Sequence, residues 1–145
     1  FRSLISKKFK IKNSSKIKES IKKLILIKKS NINKLEKLIH PLVRKKMKKF
    51  TIKNRRKKML FYEIPLLVES KLMRFFNIII FIKSRKKLRL KRFKINSDDK
   101  KLFNLLDSKQ MNVRKKIKFC DYVVVNEKNL NVLKKKLSSI IHKYE

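Results

Sequence analysis

The 145-residue chain has no glycine, no alanine and no tryptophan, and only two prolines. Zero glycine excludes a Gly-rich loop, the usual means by which a parallel-sheet nucleotide enzyme brings backbone N–H groups to phosphate. One cysteine, Cys120, excludes an internal disulfide, and no metal-ligand spacing surrounds it. That fits a reducing, cytoplasmic setting. The longest apolar run is Phe75 to Ile82, with Asn77 inside it. It falls far short of the ~20 residues that span a bilayer, so no membrane partner is expected. No signal peptide with a small-residue cleavage site is visible. Acidic residues are scarce too, ten against 45 Lys+Arg, which leaves a net charge of +35.

Such a charge at face value points to nucleic acid or an anionic membrane. Base composition offers a second cause. The absent residue types have GC-rich codons, and the abundant Lys, Ile, Asn and Phe have AT-rich ones. Much of the lysine therefore follows from genome bias without any function. Hydrophobic residues make up 42% of the chain, ten Phe among them, enough for the core of one modest domain.

Along the chain, residues 1 to 16 are basic and weakly periodic, as in a frayed connector. Ile17 to Ile27 places its apolar residues on one helical face. Asn31 or Asn33 caps a second helix carrying Leu35, Leu38 and Ile39. Pro41 marks where that helix stops and another begins, its stripe continued by Leu42, Val43, Met47 and Phe50. Met59 to Ile64 is expected to be a buried strand bounded by Pro65. Pro65 to Phe76 reads as a short helix and Asn77 to Ile82 as a second strand. Ser84 caps a helix from Arg85 to Phe93, and Ser97 or Asp98 caps another through Gln110. Val113 to Phe119 is a brief helix and Asp121 to Val125 a third strand. Asn126 or Glu127 opens the final helix. Strands alternating with helices predict an α/β fold, a parallel sheet with helices on both faces. Ligands of such sheets gather at the carboxyl ends of the strands.

Three segments resemble the dephospho-coenzyme A kinase family in order and spacing. Leu35-Glu36-Lys37-Leu38-Ile39-His40-Pro41-Leu42-Val43-Arg44 is similar to the family's L-E-x-I-x-H-P-x-V-R. Glu63-Ile64-Pro65-Leu66-Leu67-Val68-Glu69 is similar to D-I-P-L-L-F-E at the end of a strand. Gln110-Met111, continued by Asp121-Tyr122-Val123-Val124-Val125-Asn126, resembles R-Q-M-P…A-D-x-V-I-x-N. Between them Leu88-Arg89-Leu90-Lys91-Arg92 looks like the start of the family's lid, L-x-x-R-L. The likeness covers residues 17 to 145. It departs at Glu63 for Asp, Val68 for Phe, Lys109 for Arg, Asn112 for Pro, and in a lid one residue short without its Gly. Nothing matches the family's opening strand, its G-x-x-x-x-G-K-S/T loop or the acidic segment after it.

The resemblance implies a three-layer P-loop kinase fold with a helical lid, here an incomplete kinase domain without its first strand and P-loop. Residues 17–52 would be acceptor-side helices, 57–83 core strands, 84–112 the lid, and 113–145 the last strand and terminal helix. The start at Phe1 fits a fragment, and the P-loop Lys and the acidic base are expected upstream of it. The implied reaction is phosphorylation of the ribose 3′-hydroxyl of dephospho-CoA by ATP with Mg²⁺, the last step of coenzyme A biosynthesis. No metal ligands are assigned to this chain, and the fragment alone is expected to be inactive.

Each candidate residue has a bland alternative. His40 and Arg44, four apart on one helix face, are expected to bind the acceptor, or to be a satisfied core histidine and a surface cation. Glu63 and Glu69 are substrate-side candidates. Glu63 is otherwise a strand-end carboxylate, and Glu69 a partner of a lid cation, Lys71 or Lys83. Arg92 is the lid candidate, swinging over phosphate to stabilise transition-state charge, or one more solvated cation in a basic run. Lys109 would second it on ATP. Asn126 would contact adenine or only cap the last helix. Cys120 reads as a small buried residue without reactivity. Two other functions compete: a basic RNA-binding protein of ribosomal type, which the even spread of cations disfavours, and a decayed, non-catalytic kinase relative.

Overall fold

The computed structural model describes residues 2–11, 16–28, 30–97 and 99–145. The chain divides into two compact units, Phe1–Phe61 and Tyr62–Glu145.

The first unit is helical: α1 (Arg2–Phe9), α2 (Ile17–Ile27) and α3 (Ser30–Lys53). Helix α2 has the bounds its periodicity predicts. Ile5, Ile17, Ile25 and Ile32 are its buried core. Helix α3 is one uninterrupted helix of 24 residues, with Pro41 inside it, so the expected break at Pro41 does not occur. A proline removes one backbone hydrogen bond, and the half-buried Leu38, Ile39, Leu42 and Val43 hold the turns on either side. Asn31 and Asn33 lie within α3 rather than before it. The Asn31 amide instead donates to the Leu24 carbonyl at 2.8 Å, tying α3 to the last turn of α2.

The second unit begins with an irregular segment. Residues 59–64, which include the end of the first unit, form no strand, contrary to the reading of this apolar run of strand formers. A strand needs a ladder partner, and no strand among the described residues pairs with this one. Residues 65–71 form turns, and only Met73–Phe75 is helical, as one 3-10 turn. An α-helix across Pro65–Phe76 is broken by Leu66 and Lys71, both in the left-handed region at φ 60° and 57°. Val68 and Leu72 still bury their side chains.

Strand β1 (Ile80–Lys83) pairs in parallel with β2 (Tyr122–Val125), Ile80 opposite Tyr122 and Lys83 opposite Val125. The sheet thus has two strands among the described residues, in place of the three expected. Asp121 fixes its lower edge, accepting from the Ile79 N–H at 2.7 Å. The crossover holds α4 (Lys86–Lys94), α5 (Lys100–Ser108) and α6 (Val113–Ile117), and α7 (Leu130–Ile141) follows β2. Helix α7 packs on β2. The helix starts lie slightly off the sequence reading. Arg85, not Ser84, precedes α4, without a side-chain cap. Asp99 caps α5 through the Leu102 N–H, so Ser97 does not, and the alternative Asp98 lies outside the described residues. Asn112 caps α6. Asn129 caps α7, so neither Asn126 nor Glu127 does. Both are used elsewhere.

Candidate functional site

The carboxyl ends of β1 and β2 lie side by side, because parallel pairing puts both ends at one edge of the sheet. The Asn126 N–H extends the ladder by one bond, donating to the Lys83 carbonyl at 2.8 Å. Two arginines from the start of the crossover reach back to this edge. Arg92, one turn from the end of α4, donates from Nη1 to the Asn126 carbonyl at 3.1 Å. Its Nη2 reaches Asn126 Oδ1 at 3.3 Å. Arg85 pairs with Glu127, Nε to Oε2, at 2.8 Å, and the Arg85 N–H donates to Glu127 Oε1 at 3.2 Å. The Ser84 hydroxyl, just before Arg85 in sequence, is buried with no hydrogen-bond partner among the described residues.

The arginine fork of Arg92 grips the two acceptors of one residue, an arrangement that also suits two oxygens of a phosphate. Arg92 is half-buried, whereas its neighbours Lys87 and Lys91 are exposed. Its position at the strand ends thus separates it from the basic run around it. Of the sequence candidates, the structure brings Arg92 and Asn126 together. Sequence reasoning missed Glu127 as a site residue. Its signal was a lone carboxylate directly after the strand in a chain of cations.

Helices α4 and α5 are clamped as a hairpin. Asp107 accepts from Arg89 at 2.5 Å and pairs with Lys86 at 3.1 Å. Burial works against the Asp107 charge, but these two cations outweigh it and hold the carboxyl below its ordinary value. Phe93 and Phe103 meet edge to face, their rings 5.5 Å apart. Lys109 is half-buried at the C-cap of α5, where its N–H donates to α5 carbonyls.

Glu69 has a different partner from either lysine expected. Its Oε1 is 2.7 Å from Lys116 Nζ of α6 and accepts from the Met111 N–H at 2.7 Å. Burial opposes its charge, and the Lys116 and Met111 bonds overcome that and lower its pKa. Lys116 also lies over the Phe81 ring, 5.3 Å from its centre. Cys120 donates to the Lys116 carbonyl. Burial pushes its thiol pKa up, which leaves little reactive thiolate. Glu63 is exposed in the irregular segment, not at a strand end. In the first unit, His40 is half-buried and Arg44 exposed, four residues apart on the continuous α3. Among the described residues no group of three or more His, Cys, Asp or Glu could hold a metal ion.

A family model described as dephospho-CoA kinase matches residues 11–131. A dephospho-CoA kinase of Bartonella quintana is 29% identical over 134 residues, covering 90% of this chain and 69% of the relative. One from Bartonella henselae is 26% identical over 96% of this chain and 74% of its own. One from Lactobacillus johnsonii is 33% identical over 78% of this chain and 59% of its own. The matched region takes in α2 and α3, both strands and the whole crossover between them, and on that match the chain belongs to the dephospho-CoA kinase family.

Proposed function

We propose that this chain carries the acceptor, lid and terminal-strand elements of an enzyme that phosphorylates the ribose 3′-hydroxyl of dephospho-CoA with ATP. The ribose 3′-oxygen attacks the γ-phosphorus, the bond from phosphorus to the bridging oxygen of ADP breaks, and a base takes the hydroxyl proton. Protein supplies mainly position and positive charge to such a transfer. The observation that carries the reading is the meeting of Arg92 and Asn126 at the strand ends of a chain in this family. Arg92 is the cation for the migrating phosphoryl group, and a phosphate displaces its neutral Asn126 acceptors because the charge-assisted bond is stronger. Asn126 and Lys109 are assigned to ATP. His40, Arg44, Glu63 and Glu69 are assigned to the acceptor, Glu69 by holding the Met111 turn in place. Mg²⁺ enters as part of the ATP substrate. A reducing cytoplasm suits the single free cysteine.

Titration of the purified chain with ATP and with dephospho-CoA tests this. Saturable binding of both is expected. Arg92→Gln is expected to weaken ATP about tenfold, the loss of one charged hydrogen bond at ~1.5 kcal/mol, and Arg44→Gln to weaken only dephospho-CoA. A chain that binds neither would overturn the reading. Turnover by the 145 residues alone is expected to be undetectable, because a chain without glycine offers no Gly-rich phosphate loop.

A further inference from the structure

From Lys37 to Tyr62 the sequence has eleven Lys and Arg and no Asp or Glu. Most of this stretch is the second half of α3 and the turn after it. Six cations there, Arg44, Lys45, Lys46, Lys48, Lys49 and Lys53, are all exposed. At ~100° per residue they cover about 200° of the helix circumference over a length of about 14 Å. The opposite stripe is Val43, Met47 and Phe50, of which Val43 and Met47 are half-buried in the protein. The outward arc of the helix is therefore mostly cationic, with exposed Ile52 inside it and exposed Phe50 at its margin, and it is continued past the helix end by exposed Arg55, Arg56, Lys57 and Lys58.

Such an arc works against its own helix. Arg44 and Lys48, Lys45 and Lys49, and Lys49 and Lys53 are like charges at i,i+4, each unfavourable by ~0.2–0.5 kcal/mol. A bound polyanion reverses the sign of these terms. A mononucleotide offers too few charges for so many cations, whereas a phosphate backbone presents a regular row of them. A membrane surface would need a continuous apolar stripe beside the cations; here Val43 and Met47 are half-buried, and the two exposed apolar residues, Phe50 and Ile52, lie about 160° apart around the helix.

We propose that this face of α3 binds the phosphate backbone of nucleic acid without reading its sequence. The proposal does not depend on the strand-end residues assigned to ATP.

The test uses a fluorescent DNA duplex of mixed sequence and follows anisotropy as salt is raised. Six phosphate contacts predict about a 10³-fold loss of affinity between ~50 and ~200 mM salt. In the quadruple variant Lys45→Gln, Lys46→Gln, Lys48→Gln and Lys49→Gln, the slope of log affinity against log salt is expected to fall by about three to four. The matching Lys→Arg variant keeps the wild-type slope, which separates lost charge from a lost fold. Lys134→Gln, Lys135→Gln, Lys136→Gln and Lys143→Gln, with the same change in net charge, is expected to change the slope by less than one. If that control loses as much as the α3 variant, binding belongs to the whole polycation and the proposal fails. It also fails if vesicles containing phosphatidylserine bind as tightly as the duplex and lose binding in the α3 variant. Equal binding of the duplex by wild type and α3 variant would likewise overturn it.

Discussion

At Glu69 a carboxylate that burial would neutralise stays charged because Lys116 and the Met111 N–H hold it. Its folded pKa lies below its unfolded one. The stabilisation is therefore complete above the ordinary carboxylate range and is lost as pH falls through the depressed value. Asp107 follows the same sign. Thermal midpoints are expected to hold steady from neutral pH down to that range and to drop below it. The drop should be shallower in Glu69→Gln, which is expected to lose about 2 kcal/mol at neutral pH by stranding the Lys116 charge. Joint replacement with Lys116→Met should recover part of that loss in urea unfolding. The chain's lack of glycine shows at Lys71, an exposed residue in the left-handed region where glycine would rest without strain. Lys71→Gly is expected to stabilise by about 0.5–1 kcal/mol and Lys71→Ala to give no gain, measured by the same unfolding. Neither feature was legible beforehand. The sequence offered a lid cation, Lys71 or Lys83 as partners for Glu69 and not Lys116, because the turn that aims Glu69 at α6 depends on left-handed residues that no side-chain pattern announces.

Among the elements, the α4–α5 hairpin rests on few contacts. Phe103 is 6% exposed and meets Phe93 edge to face, and Asp107 joins the two helices through Arg89 and Lys86. Phe103→Ala is expected to cost about 3–4 kcal/mol. Hydrogen exchange should show the loss first in α4 and α5, and, on the proposed assignment of Arg92 to ATP, nucleotide binding should weaken with it, because α4 carries that residue. Most helices were readable from sequence, since their apolar spacing is local, but the caps were misplaced by one to three residues and Arg2–Phe9, read as a frayed connector, is helix α1. Helix α2 matched its periodicity, and the final helix α7 was also expected, although its cap moved to Asn129, its apolar residues are at most half-buried and Leu130 is exposed. Strand reading failed at residues 59–64, where β-forming residues found no partner to pair with among the described residues. Pro41 misled for the opposite reason: an interior proline costs a helix about 3 kcal/mol, yet α3 runs through it with half-buried turns on either side. The site was half legible. Family spacing singled out Arg92 and Asn126 separately, but their contact spans 34 residues and only the fold makes it.

For the whole molecule, 45 cations against ten anions make self-repulsion the dominant long-range force. Screening should relieve it. The melting temperature is expected to rise as salt increases from ~10 mM to ~150 mM, where the Debye length shrinks from about 30 to 8 Å. A fall would mean that the pairs at Asp107, Glu69 and Glu127 outweigh the repulsion. No helix among the described residues is long and apolar enough to cross a membrane. The parallel register of β1 and β2 sets a different constraint, one of time. Ile80 meets Tyr122 across 42 residues of chain. Closing a loop of that length costs about 3 kcal/mol of entropy before the first ladder bond forms. The local α4–α5 hairpin can assemble earlier. Refolding is therefore expected to be paced by the strand ends coming together, and the Arg92 fork at Asn126, on the last stretch to close, forms only when the molecule is otherwise complete.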